Sequence, residues 1–131
     1  MLRPMSDNRL PVFDRTMFDS LLADIGADRM SRMLALFRGE NDKGMQSLAT
    51  AFAAGDLAAI AHHAHQLRNP AASLGFSHFA ADLLLTELSA NHLNDDAARP
   101  DAAQWHRLQE GHAAMVPALD ALCAEFSTDI K

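Results

Sequence analysis

Residues 56–75 read DLAAIAHHAHQLRNPAASLG, and this stretch decides the fold because it encodes one capped helix with a narrow apolar stripe. Asp56 is a favourable N-cap residue, and Gly75 is a typical residue at a helix C-terminus. At about 100° per residue, one face of the intervening helix carries only apolar side chains. That face comprises Ile60, Ala64, Leu67, Ala71 and Leu74. The spacing predicts a helix over 57–74 that buries one side against other helices.

Similar amphipathic segments lie on both sides of this helix. Their predicted N-terminal residues are Asp14, Asp28, Ser77 and Asp101, and Gly26 and Gly55 are expected to end the first two. The apolar positions are Met17, Phe18, Leu21, Leu22 and Ile25 in the first helix, Met30, Met33, Leu34, Phe37, Leu48 and Phe52 in the second, Phe79, Ala80, Leu83, Leu84 and Leu88 in the fourth, and Trp105, Leu108, Met115, Leu119, Leu122 and Phe126 in the last. Each set has helical spacing, so five helices with one apolar face each are predicted.

The fold class predicted from these segments is all-α, an antiparallel four-helix bundle with an additional N-terminal helix. We expect residues 1–12 to form an irregular arm, 91–100 to form the longest loop, and 13–131 to form a single bundle domain. Gly39 and Gly44 fall inside the second helix, where each costs roughly 1 kcal/mol relative to alanine. The apolar stripe continues on both sides of them, so the helix is expected to persist.

Composition excludes several classes of protein. The chain has 131 residues, 49% of them hydrophobic, and a formal net charge of −6. That charge argues against a nucleic-acid partner, because neutralising phosphates requires a basic surface. Long apolar runs and a signal-like start are absent from the sequence, so neither membrane insertion nor export is expected. The only cysteine is Cys123, which predicts a reducing, cytoplasmic location.

His65 is the main candidate for chemistry. Its helical phase places it off the apolar stripe and toward solvent, with Arg68 one turn later on the same surface. Ala61, Asn69 and Ala72 are predicted to surround it and to leave room for a docking protein. An exposed imidazole can attack an activated phosphoryl group, and a nearby guanidinium can donate charge-assisted hydrogen bonds to phosphate oxygens. The pattern therefore favours a phosphoryl carrier.

The segment 64–75 resembles the signature of histidine-phosphotransfer (HPt) domains of multistep phosphorelays. The matching positions are His65, Leu67, Ala71, Leu74 and Gly75. The resemblance implies that His65 is phosphorylated and that Arg68, in place of the usual lysine, contacts the phosphate. It also implies receiver domains of response regulators and a hybrid histidine kinase as partners. The receiver supplies the Mg²⁺, so no cofactor or metal is expected in this chain.

Two alternatives remain open at this stage. An HPt-like interaction module that binds a receiver or kinase without carrying phosphate is one, because Asn69 replaces the family's usual glycine and Pro70 follows it. A metal-binding bundle is another, since the chain has seven histidines, but no Glu-x-x-His tetrapeptide occurs. The sequence has no Gly-rich ATP loop, so we expect no autonomous kinase activity and a phosphoryl donor that is another protein. A monomer is expected, because no helix shows a second apolar face.

Overall fold

The computed structural model describes residues 10–91 and 101–127, and five helices account for most of them. The helices are α1 (Arg15–Ile25), α2 (Ala27–Ala54), α3 (Leu57–Leu74), α4 (Ser77–Asn91) and α5 (Ala102–Glu125). Within these ranges there is no strand. The all-α prediction is confirmed, and the bounds of α3 are those that its sequence predicts. Residues 1–9 of the expected arm and 92–100 of the expected loop lie outside the described residues.

Aspartate side chains define three of the helix starts. Asp14, Asp56 and Asp101 each accept a hydrogen bond from the backbone N–H three residues later, at 3.0–3.2 Å. Each of these bonds satisfies one of the N–H groups that a helix start leaves without a partner. These caps are the ones that the sequence predicts for α1, α3 and α5.

Glycine ends α3 where the chain must turn closely. Gly75 has a φ of +96°, and a Cβ at this position would lie 2.6 Å from the carbonyl oxygen of Asp14. The amide of Asp14 also donates a 2.7 Å hydrogen bond to the carbonyl of Gly75, so the backbone before α1 is held against the end of α3. A side chain at position 75 is therefore excluded by both backbone conformation and space.

The helices α2, α3, α4 and α5 form a ring in which each helix packs against two neighbours, and α1 lies against α2 and α3. This is the predicted four-helix bundle with an added N-terminal helix. The core is one cluster of buried side chains from all five helices and the α3–α4 turn. Its largest members are Phe18, Phe76, Phe79, Met30, Leu34, Leu48, Ile60, Leu74, Leu83, Leu108 and Met115. Burial of this apolar surface is the main term that stabilises the bundle.

Some apolar side chains that we expected in the core are exposed. Met17 on α1 is 44% exposed, and Leu84 and Leu88 on α4 are 38% and 46% exposed. The expectation that no helix has a second apolar face is wrong for α4, because this helix is apolar on more than one side and only the side bearing Phe79 and Leu83 faces the bundle interior. Among the described helices, none combines the length and apolar character needed to cross a bilayer.

Candidate functional site

His65 lies at the surface of α3, where its helical phase places it. Its side chain is 54% exposed. The neighbouring positions Ala64 and Leu67 are buried in the core, so the helix is held firmly on one side while the imidazole projects from the other. An external group can therefore reach the ring without any rearrangement of the bundle. Its role in phosphotransfer stays a prediction at this point.

A carboxylate from α4 holds both site residues of α3. Glu87 Oε2 lies 2.9 Å from His65 Nδ1, and Arg68 Nε donates a 3.1 Å hydrogen bond to Glu87 Oε1. Arg68 Nη2 lies 3.2 Å from the same His65 Nδ1. The Glu87 side chain is only 16% exposed, which strengthens both interactions relative to a fully solvated pair. The three side chains form a closed triangle of contacts that spans α3 and α4.

The triangle fixes the hydrogen position on the imidazole. A carboxylate is only an acceptor, so the contact of Nδ1 with Glu87 requires a hydrogen on Nδ1. The same nitrogen cannot then accept a hydrogen bond from Arg68, and the 3.2 Å approach of Nη2 is a van der Waals contact in that tautomer. With Nδ1 protonated, the lone pair of a neutral ring is on Nε2. In this tautomer Nε2 is the ring nitrogen that can act as a nucleophile.

The surroundings of His65 differ from the expected ring of exposed small residues. Arg68 is 26% exposed and is paired with Glu87, where we expected a guanidinium that faces solvent. Ala61 is only 8% exposed, so the expectation that it lies on the open surface is wrong. Both differences have one cause: α4 packs closely along this side of α3. Asn69 is exposed and Ala72 is partly buried, and their docking roles stay predictions.

Glu87 is the site residue that sequence reasoning missed. Ala80, Leu83 and Glu87 follow one another at i, i+3 and i+7, so they share one face of α4. Ala80 and Leu83 on that face are buried, which places the carboxylate at the edge of the core. An acidic residue in register with core positions of an otherwise apolar helix is the signal that identifies it.

The other histidines within residues 10–91 and 101–127 do not join this site. His62 and His63 contact each other, with ring centroids 5.1 Å apart. His78 and His106 lie near Asp82 and Glu110 on their own helices. His112 packs on Phe79, and burial lowers its pKa from the ordinary value. Within residues 10–91 and 101–127, no group of three or more histidine, cysteine or acidic side chains has the geometry to hold a metal ion.

Comparisons with known proteins agree with this geometry. A family model described as "Hpt domain" matches residues 32–128, which is more than half of the chain. Among solved structures, the chain is similar to histidine-containing phosphotransfer protein B from Pseudomonas aeruginosa PAO1, with a TM-score of 0.76 and 22% identity. That alignment covers 88% of this chain and 96% of the other. A search of curated proteins found no match.

Proposed function

The chain belongs to the Hpt domain family of histidine-phosphotransfer proteins, which act in two-component signalling, and on that premise we propose that it relays a phosphoryl group through His65 between aspartyl-phosphate receiver domains. The observation that carries the proposal is the half-exposed imidazole whose Nδ1 is held by Glu87 at 2.9 Å. A ring so oriented offers Nε2 to an incoming protein. The receiver domains of response regulators and a hybrid histidine kinase are the proposed partners.

The proposed transfer is an in-line displacement. His65 Nε2 attacks the phosphorus of the receiver's aspartyl phosphate, an N–P bond forms, and the acyl P–O bond breaks to release the aspartate carboxylate. The phosphorylated ring keeps its hydrogen on Nδ1 and carries a positive charge, which the Glu87 carboxylate stabilises. In the next step a second receiver's aspartate attacks the same phosphorus, the N–P bond breaks, and the neutral ring returns.

Arg68 is the proposed phosphate-binding residue. Its Nε is engaged with Glu87, and a guanidinium has further N–H donors on its two Nη atoms. These donors are available for phosphate oxygens, while the bond through Nε fixes the plane of the group. The arrangement supplies positioning and charge stabilisation, which provide most of the catalysis in phosphoryl transfer.

Phosphoryl transfer from a radiolabelled, phosphorylated receiver domain tests the proposal. Wild-type protein should acquire label that is labile in acid and stable in alkali, as expected for an N–P bond. His65→Gln should acquire none, and His62→Gln, one turn earlier on the exposed side of α3, should be labelled like wild type. Label on His65→Gln would place the phosphorylated residue elsewhere. Receiver binding without any label on wild type would favour an interaction module that carries no phosphate.

The remaining proposals concern the protein in the cell. We place it in the cytoplasm, because Cys123 is a free thiol and receiver domains are cytoplasmic partners. We also propose that it acts as a monomer of one bundle domain over residues 13–131, since phosphotransfer in this scheme needs only the α3–α4 face of one chain. Sedimentation at several concentrations checks the oligomeric state.

A further inference from the structure

The ring nitrogen of His65 that does not take the phosphoryl group, Nδ1, faces a carboxylate. Glu87 Oε2 lies 2.9 Å from this nitrogen, and the Glu87 side chain is only 16% exposed. A ring that carries a phosphoryl group on Nε2 is cationic while Nδ1 keeps its hydrogen and loses that charge when the hydrogen leaves. A carboxylate at hydrogen-bond distance favours the cationic form. The Nδ1 hydrogen should therefore be retained to a higher pH here than in open water.

The Nδ1 hydrogen determines which leaving group departs when the N–P bond breaks. With the hydrogen present, the electron pair of the N–P bond returns to Nε2 and a neutral imidazole leaves. The phosphoryl group then passes to a carboxylate oxygen of a receiver domain, or to a water molecule that gives a proton to the solvent. Without the hydrogen, the leaving group is an imidazolate anion, which departs far more slowly. The rate of release should therefore follow the fraction of rings that keep the hydrogen.

We propose that Glu87 sets the rate and the pH range over which phosphorylated His65 releases its phosphoryl group, an inference that rests on the function proposed above. In the part of the chain that the structure describes, the charged side chains in contact with the His65 ring are Glu87 on α4 and Arg68 on α3. His62 is a titratable group one turn earlier on α3, and its ring contacts His63 instead. Glu87 thus stabilises the cationic ring, and Arg68 opposes it.

The two charges act in opposite directions, which distinguishes an electrostatic effect from a structural one. Glu87→Gln keeps the shape of the side chain and removes its charge. The midpoint, which is the pH at which half of the phosphorylated rings have lost the Nδ1 hydrogen, should fall by about one unit in this variant. This is the low end of the range for a charged neighbour, because the His65 side chain is 54% exposed. Arg68→Gln removes the opposing charge, so its midpoint should rise.

The test follows loss of the phosphoryl group from His65 as a function of pH. Each protein is labelled to completion with phosphoramidate, freed of the donor and incubated without a receiver, and phosphorus NMR reads both the remaining label and the midpoint. Near pH 5 nearly all rings keep the hydrogen, so Glu87→Gln should lose label at about the wild-type rate. Above the midpoint the retained fraction falls about tenfold per pH unit, so the variant should lose label about tenfold more slowly.

Glu110→Gln is the matched control for this experiment. Glu110 Oε2 lies 3.2 Å from His106 Nε2 on α5, so the substitution removes a carboxylate beside another exposed histidine. It changes the net charge of the chain by the same amount as Glu87→Gln. Because it leaves the contacts of His65 in place, this control should match the wild-type midpoint and the wild-type rate at every pH.

Several results would overturn the proposal for Glu87. Equal slowing of Glu87→Gln at acidic and alkaline pH would mean that the carboxylate only positions the ring. A midpoint that Glu87→Gln leaves unchanged, or an equal shift in Glu110→Gln, would exclude a local charge effect. If circular dichroism shows that Glu87→Gln does not fold, Arg68→Gln carries the test, and an unchanged midpoint in that variant contradicts the proposal. Absence of label at His65 in wild type would instead overturn the proposed function.

Discussion

Replacing Glu87 with alanine removes the group that holds His65 and Arg68, the two proposed site residues of α3. The variant loses the 2.9 Å contact with His65 Nδ1 and the 3.1 Å hydrogen bond from Arg68. Without an acceptor at Nδ1, the neutral imidazole loses its bias toward the tautomer with a free Nε2 lone pair. Fewer molecules then present a nucleophilic nitrogen toward the incoming phosphorus. The rate of phosphoryl uptake by His65 should fall.

The expected fall in the rate of phosphoryl uptake follows from the strength of the hydrogen bond between His65 and Glu87. Hydrogen bonds to charged groups contribute about 1.5–3 kcal/mol, and water weakens that range at exposed positions. The His65 side chain is 54% exposed and Glu87 is 16% exposed, so the lower end applies. About 1.4 kcal/mol corresponds to a factor of ten. Glu87→Ala should therefore slow labelling of His65 about tenfold, and Glu87→Gln, which keeps an acceptor oxygen without the charge, should lie between this variant and wild type.

The assay is quenched-flow labelling by phosphoramidate at a pH where the free imidazole is neutral. Glu110→Ala is the matched control, because it removes a comparable contact between Glu110 and His106 at 3.2 Å on α5. The control should be labelled at the wild-type rate. Labelling of Glu87→Ala at the wild-type rate would refute the assignment of Glu87 as the residue that positions His65.

Three other predictions address packing, pH and docking. Gly39→Ala should raise the free energy of unfolding by about 1 kcal/mol through helix propensity, because nothing lies within 4 Å of the added methyl group. Gly44→Ala places that methyl 2.7 Å from the buried Leu67, so urea unfolding should show it to be at least about 1 kcal/mol less stable than Gly39→Ala; equal stabilities would mean that α2 and α3 separate without cost. Burial lowers the pKa of His112 below its ordinary 6.5, so the unfolded chain binds the proton first and wild type should lose stability as the pH falls below about 6.5. His112→Leu should lose less between pH 7.5 and pH 5, and parallel losses in the two proteins would assign the pH dependence to other groups. Asn69→Trp adds bulk at an exposed position of α3, so it should slow transfer to a receiver without affecting labelling by phosphoramidate; unchanged transfer would remove Asn69 from the docking surface.

The helix boundaries were predictable because local signals determine them. Asp56 caps α3 through a bond to the next turn of the same helix, and Gly75 ends α3 through its own backbone conformation. Both effects act over a few residues, so they can be read from adjacent letters of the sequence. The position of His65 off the apolar stripe follows from helical phase in the same way.

The partner of His65 was not predictable by the same means, because Glu87 lies 22 residues away on another helix. Helical phase predicts that an inward side of α4 exists and that Glu87 belongs to it, but it does not predict which helix that side meets. The prediction that Leu84 and Leu88 of α4 lie in the core was wrong for a related reason. A helix with apolar residues on several sides has no unique inward side in the sequence, and the neighbours α3 and α5 decide which side is buried.

The small residues around His65 acquire a different role once the helix pairing is known. Ala61 and Arg68 are seven residues apart and share one side of α3, as Ala80 and Glu87 share one side of α4. Both alanines are less than 9% exposed, so they lie in the contact between the two helices. Small side chains at such a contact shorten the distance between helix axes, and a short distance is what allows the carboxylate on α4 to reach the imidazole on α3. Ala61, which the sequence predicted to lie on an open docking surface, is instead buried beside α4, where its small side chain favours the contact between His65 and Glu87.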